Sequence, residues 1–435
     1  MFGYYFNLAL RSLGQYRTLT VLMVLAVAFG IGASMTTLTV FHVLSGNPLP
    51  GRSDKLFTLQ LDPRPHDRVT TGDEPPDQLT RYDGETLLRE KRGDRQALMT
   101  SGRVGVEADV ANMEPFYADT RYTTADFFPM FQPPFLYGNG WDASADERHE
   151  RVVVISRELN DTLFGGANSV GRDIRLEQDS FRIVGVLDHW RPTPRFYDLT
   201  IDNFGQMEQL FLPFSTSRDL DLFRGGNMDC FRERPTGVKD TDLNASCVWL
   251  QYWVELDTPA KVSAYRQYLD NYADQQHASG RFEVPGNVRL YDVMAWLDYN
   301  KVVPGDVRLQ MWLAFGFLLV CLVNTVGLLL AKFLRRSGEI GVRRALSASR
   351  RQIFMQCLVE AGLVGLAGGV LGLVLAVLGL WVVRQQPANY AGLARLDPTM
   401  LLTTFVLAIA ASLLAGLLPA WRAMQVTPAM QLKSQ

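Results

Sequence analysis

The sequence predicts an α-helical membrane protein with four transmembrane helices and a large mixed α/β extracytoplasmic domain inserted between helices 1 and 2. Three observations carry that prediction. Four apolar runs, over 19–41, 309–334, 354–383 and 401–420, reach the roughly 20 residues a helix needs to cross a bilayer. Residues 43–306, of ordinary globular composition, separate the first run from the second. Basic residues gather at those ends of the runs that one membrane-spanning topology places on a single side.

Charge sharpens the division. The 435 residues carry 43 Lys and Arg against 45 Asp and Glu, a formal net charge of −2. Residues 1–42 and 307–435 hold 14 basic and 3 acidic side chains, about +11, which leaves the inserted segment near −13. No basic footprint for nucleic acid survives that split.

Arg11 and Arg17 precede the first run. Lys332, Arg335, Arg336, Arg343, Arg344, Arg350 and Arg351 crowd the loop between the second and third, and Arg422 and Lys433 follow the fourth. The positive-inside rule then orders the chain from its N-terminus. A cytoplasmic interfacial helix over 1–18, with Phe2, Phe6, Leu10 and Leu13 on one face, leads into a span over 19–42. The external domain over 43–306 follows, then spans over 307–334, 354–383 and 399–420. A cytoplasmic loop or helix over 335–353 and a short external loop over 384–398 join the last three, and a cytoplasmic tail covers 421–435. The expected location is the inner (plasma) membrane, multi-pass, with both termini cytoplasmic. A cleaved secretory signal is the alternative for the first run, because Gly30 to Ser34 has the small residues a peptidase favours; the run continues apolar through Phe41, longer than a usual signal core.

Within the inserted segment, Val152-Val-Val-Ile155 predicts a buried strand, and Ser156 can cap a helix through Leu163 that Gly165-Gly166 ends. Two alternating strands over 173–177 and 181–187 follow, joined by a polar turn at Gln178-Asp-Ser180. A strand over 247–256 and a helix over 259–275 come later, and a polar stretch over 292–306 leads to the second span with no obvious flexible linker. Of four cysteines, Cys321 and Cys357 fall in spans; Cys230 and Cys247 form an even pair in an oxidising compartment and predict a disulfide, two unpaired thiols being the alternative.

Recognisable catalytic chemistry is absent from the sequence. No Gly-x-x-x-x-Gly-Lys-Ser/Thr occurs, so this stretch of chain has no phosphate-cradling loop, and nucleotide energy must come from elsewhere. The five histidines are scattered, leaving no zinc spacing, and carboxylate pairs such as Asp146-Glu147 read as solvated loop charge. No catalytic residue and no metal site are expected, and the chain is not read as an enzyme.

Membrane mechanics remains. Gly365, Gly368, Gly369 and Gly372 of the third span have the small-residue spacing that lets helices approach closely, within one bundle or between subunits. Asn324 and Glu360 are polar groups inside spans; Glu360 is read as a lone acid near the cytoplasmic face, able to pair with an Arg of the preceding loop, rather than as a proton relay. In that loop Ser337 is placed to cap a short helix, with Glu339 in its first turn and Arg343 and Arg344 near its end. Ser349-Arg-Arg-Gln352 offers a capping box for the next helix. A lipid anchor would explain the arginines but not Gly338-Glu-Ile-Gly341, which looks like a docking surface.

The run Gly338-Glu-Ile-Gly-Val-Arg-Arg-Ala-Leu-Ser-Ala-Ser-Arg-Arg-Gln-Ile353, followed by Gln356-Cys-Leu-Val-Glu-Ala361 and a glycine-rich helix, closely resembles the FtsX-like permease domain of MacB-type ABC transporters. Asn7-Leu-Ala-Leu-Arg-Ser-Leu13 with Arg17-Thr-Leu-Thr20, Tyr122-Thr-Thr-Ala-Asp-Phe-Phe128, the stretch 152–187, and Leu418-Pro-Ala-Trp-Arg-Ala423 with Thr427-Pro428 are similar to other parts of that family. One departure is Ser347, where the family usually has glycine. The resemblance implies a permease whose residues Gly338, Glu339, Ile340, Gly341, Val342, Arg343, Arg344, Ala345 and Leu346 couple to a separate ABC ATPase subunit, which binds the ATP and Mg; no cofactor is expected in this chain. It further implies a dimer with a second permease copy or a paralogue, contact with membrane lipid, and an external domain acting on periplasmic cargo, with or without an adaptor and an outer-membrane channel. A lipoprotein-releasing permease and a cell-division regulator are rivals within the class. A membrane-anchored sensor or enzyme without transport is the rival outside it.

Overall fold

The computed structural model describes residues 2–70, 72–107, 113–232, 236–386 and 398–425; the side chains of residues 2–6, 10 and 398 fall outside that description. Most of the loop over 384–398, the motif residues Thr427 and Pro428, Lys433, and the side chains of Phe2, Phe6 and Leu10 therefore lie outside the described residues. The chain divides into two compact units, Met1–Ser45 with Val303–Gln435, and Gly46–Val302.

The first unit is helical. An N-terminal helix, Phe2–Gln15, precedes four helices long and apolar enough to cross a membrane: Arg17–Ser45, Gly305–Arg335, Arg350–Arg384 and Pro398–Met424. Each extends one to four residues beyond either end of its apolar run. The third span starts where Ser349 accepts from the Gln352 N–H while the Gln352 side chain accepts from the Ser349 N–H, the capping box the sequence predicts.

Glycines set how closely these helices approach. A Cβ on Gly365 would lie 1.7 Å from Ser412 Oγ, and one on Gly369 would lie 2.7 Å from Ala408 Cβ, both of the fourth span. Gly368 and Gly372 turn the other way, 2.7 Å from Val27 and 3.1 Å from Ile31 of the first span. The two small-residue rows thus each meet another span of the same chain.

The second unit, inserted between the first and second spans, is mixed α/β. Among the described residues its sheet runs in the order Val288–Asp292, Leu56–Leu61, Cys247–Glu255, Arg95–Glu107, Phe116–Thr123, Leu210–Pro213, Val152–Ile155, Asp179–Leu187, Phe135–Gly138. Val152–Ile155 is buried throughout, as a run of β-branched residues demands when both faces are covered. Ser156 caps Arg157–Phe164 by accepting from the Leu159 N–H, and Gly165 ends it in the left-handed region.

The hairpin turn is tighter than expected. Asp173–Leu176 pairs with Asp179–Leu187 so that Glu177 and Gln178 alone connect them, and Glu177 takes φ 54°. Hydrogen bonds to Gly105 hold it there: the Glu177 N–H donates to Gly105 O and the Gly105 N–H donates to the Glu177 carboxylate, each at 2.8 Å. The helix Pro259–Ala278 outlasts its expected end at residue 275. The stretch over 292–306 is not one uninterrupted lead-in: Asp292 caps a short helix, Val293–Tyr299, and the chain then turns through residues 300–304, with Lys301 at φ 49°.

Two further features correct or extend the sequence reading. Asp146 is not a solvated loop charge. It accepts from the Ala125 N–H at 2.7 Å and from Trp141 Nε1 at 2.9 Å, and burial, outweighing those bonds, pushes its carboxyl up to about 6. Cys230 and Cys247 face each other on paired strands and are joined as a disulfide.

Candidate functional site

The segment between the second and third spans folds as a short helix, Ser337–Ala345. Its N-cap is Arg336 rather than Ser337, and no side chain caps it. The reason is geometric. Arg336 also closes the second span, its N–H donating to Phe333 O at 3.2 Å, and sits at φ −100°, ψ 11°, so the chain never adopts the extended backbone a serine cap requires. Glu339 in the first turn and Arg343 and Arg344 in the last still complement the helix dipole.

This helix has two faces. Ile340 and Gly341 point inward, Ile340 joining an apolar cluster with Leu329 and Phe333 of the second span, Ile353 and Cys357 of the third, and Ala420 of the fourth. Val342 and Leu346, one turn apart on the opposite face, are 57% and 77% exposed, and Gly338 and Ala345 are exposed beside them. Arg343 donates to Gln356 Oε1 at 3.2 Å and Arg344 to Met424 O at 3.4 Å, tying the helix to the third and fourth spans. The turn that follows puts Ser347 at φ 78°, a conformation that costs a side-chain-bearing residue about 1 kcal/mol and glycine almost nothing.

Glu360 lies beneath the helix and is not a lone acid. Its carboxylate accepts from Ser12 Oγ at 2.6 Å and from Arg336 Nη1 at 3.3 Å, and it contacts Lys332 Nζ. All four side chains are buried. The Lys332 contact is one of charge, since its ammonium makes no well-angled hydrogen bond there. Arg336 was legible as an arginine of the loop. Ser12 and Lys332 were not, although Lys332 and Arg336 stand one helical turn apart, a spacing that could have pointed to a shared acid. Asn324 is exposed on the second span and takes no part in this cluster.

Comparison with known proteins gives this arrangement a family. Residues 20–272 match the MacB-like periplasmic core domain, and residues 311–428 match the FtsX-like permease C-terminal domain. The chain belongs to the MacB-type permease family. Among curated relatives of this MacB-type permease, a macrolide export ATP-binding/permease protein MacB of Azoarcus sp. (strain BH72) is 24% identical over 308 residues, 69% of this chain and 40% of the relative. Another MacB, from Brucella melitensis biotype 1, is 36% identical over 282 residues, 63% of this chain and 37% of its own. The chain thus spans about two fifths of the length of these relatives. Among solved structures, the periplasmic region of MacB from Actinobacillus actinomycetemcomitans overlays 59% of this chain and 96% of its own at 14% identity, with a TM-score of 0.36. In this MacB-type permease the match to the FtsX-like domain contains the loop helix, the glycine rows and Glu360, and the match to the core domain contains every strand of the sheet order given above except Val288–Asp292.

Proposed function

We propose that this MacB-type permease transmits ATP-driven motion from an ATP-hydrolysing partner subunit to a periplasmic domain for export or mechanotransmission. The observation that carries it is the helix Ser337–Ala345, whose inward face is packed into the bundle while Val342 and Leu346 stand exposed among charges. Among the described residues nothing covers Leu346, and an apolar socket on a partner would. The curated relatives, whose names join ATP binding to the permease, support the choice of partner.

In this reading both termini and the loop helix are cytoplasmic, as the basic residues favour. The inserted unit is periplasmic, a second copy or a paralogue completes the working dimer, and ATP and Mg reside in the partner. An adaptor and an outer-membrane channel would extend the path. Purification of the C-terminally tagged chain in mild detergent should bring with it an ATP-hydrolysing subunit. Val342→Asp with Leu346→Asp should remove that subunit, whereas Val370→Asn on the outer face of the third span should not. Retention of the subunit by the double variant would overturn the docking assignment.

A further inference from the structure

We propose that Arg336, seated on Glu360, is a positioning latch that makes the loop helix and the N-terminal helix move as one. This inference rests on the coupling role assigned above to the loop helix, and it changes what Glu339 does there.

The geometry starts with one guanidinium. Arg336 donates through Nε and Nη2 to both oxygens of Glu339 at 3.1–3.2 Å, and through Nη1 to Ser12 Oγ and to Glu360. A guanidinium holds its donors in one rigid plane, so the two carboxylates and the hydroxyl it touches cannot move independently. Three elements meet in that plane: the loop helix through Glu339, the N-terminal helix through Ser12, and the third span through Glu360. Lys332 supplies the second counter-charge to Glu360 from the end of the second span.

Ser12 matters because it gives the N-terminal helix a polar contact with the bundle beside the apolar one made by the half-buried Leu13. Among its described side chains only Ala9 and Ser12 are buried, and alanine cannot direct a helix. The hydroxyl accepts from Arg336 and donates to Glu360, so it is a polar tie of that helix to the bundle. Charged groups buried at a membrane helix end are costly unless fully paired, and apolar side chains of the same volume would hold the helices together at lower cost. What the ion network adds is a defined position.

Glu339 is the exposed end of the network. Its side chain is 40% exposed, against 7% for Arg336 and 1% for Glu360. It is held within the chain by Arg336 and by Arg343 at 2.7 Å, so its partners are internal and it serves to position the helix rather than to dock it. A group arriving on the exposed face can draw Glu339 away, and Arg336 then loses its three hydrogen bonds to that carboxylate. The N-terminal helix, tied to the same guanidinium, would register that loss.

Hydrogen–deuterium exchange on the full chain in lipid nanodiscs, with no partner added, tests the latch separately from the coupling reading. Arg336→Leu and Arg336→Lys should each raise exchange about tenfold in residues 337–345 and in 7–15 together, since a lysine keeps the charge but cannot span the three partners. Ile340→Ala, which loosens only the apolar face, should raise exchange in 337–345 and leave 7–15 unchanged. Should a buried-charge variant fail to fold, Ser12→Ala and Glu339→Gln carry the test from the two ends: Glu339→Gln should loosen 7–15, and Ser12→Ala should loosen 337–345. Exchange that rises only in the segment carrying the substitution, or an Arg336→Lys variant indistinguishable from the parent, would overturn the proposal. With the partner present, Arg336→Lys should still co-purify it, because Val342 and Leu346 are untouched. Loss of co-purification in that variant would count against the latch, whereas loss in the Val342/Leu346 variant alone leaves it standing.

Discussion

Arg121 shows how much a single buried charge asks of its neighbours. Its guanidinium is fully enclosed in the inserted unit and bonds Asp198 at 2.7 Å and Glu208, while Tyr197 Oη donates to Glu208 at 2.8 Å. Burial alone would raise the Glu208 carboxyl, but Arg121 and Arg195 outweigh it and hold the group at about 2, below its ordinary 4.5. The sign follows from the depression: the folded state binds the proton less readily than the unfolded chain. Stability from this group is therefore complete above pH 4.5 and is lost as the pH falls towards 2. Asp146 acts in the opposite sense. Its carboxyl is raised from 3.8 to about 6, so its contribution is present below pH 3.8 and fades as the pH rises through 6. Tryptophan fluorescence of the full chain unfolded in denaturant across pH 2–7 should show the acid limb. Glu208→Gln should flatten it and cost about 3 kcal/mol at neutral pH, because Arg121 stays buried with one counter-charge fewer. An unchanged acid limb would remove Glu208 as its source.

Among the elements, the third span is the one whose surface is most constrained. Valine at Gly365 or Gly368 must displace Ser412 or Val27 and should destabilise the bundle by about 1–3 kcal/mol. Gly362 meets nothing nearer than 3.9 Å, so Gly362→Ala should be neutral or stabilise by up to about 1 kcal/mol through helix propensity alone. Thermal unfolding in detergent separates the two groups, and equal effects at all three positions would show that the rows are not packed as described. The rows were visible in the sequence as spacing, but not which helix each one meets, since Ser412 lies in the following span and Val27 at the far end of the chain, both outside any local window. The same limit explains the site. The capping box at Ser349 and the dipole pattern of the loop helix are local and could be read directly. Ser337 failed as a cap because the preceding span runs straight into the helix, and no residue near Ser337 announces that. Ser12 and Glu360 are 348 positions apart, so no window of sequence contains their hydrogen bond.

At the scale of the whole molecule, the long spans, the charged loop and the strand–helix–hairpin stretch of the inserted unit were all legible, because each depends on composition or on spacing within a few residues. Asp146 was not, since its burial comes from packing against Trp141 and the backbone at Ala125. Orientation in the bilayer is the expectation that one chemical count can now check. The chain has four cysteines, two of them buried within spans and free, Cys321 and Cys357, and two joined as Cys230–Cys247. A disulfide closes only on the oxidising side of a membrane and persists after the protein is extracted and unfolded. Molecules unfolded in the absence of reductant should therefore bind two equivalents of a thiol reagent when the inserted unit faced outwards during synthesis, and four when it faced the cytosol. The bond at Cys230 is in that sense a topological record, written once in each molecule and readable after every other trace of the bilayer has gone.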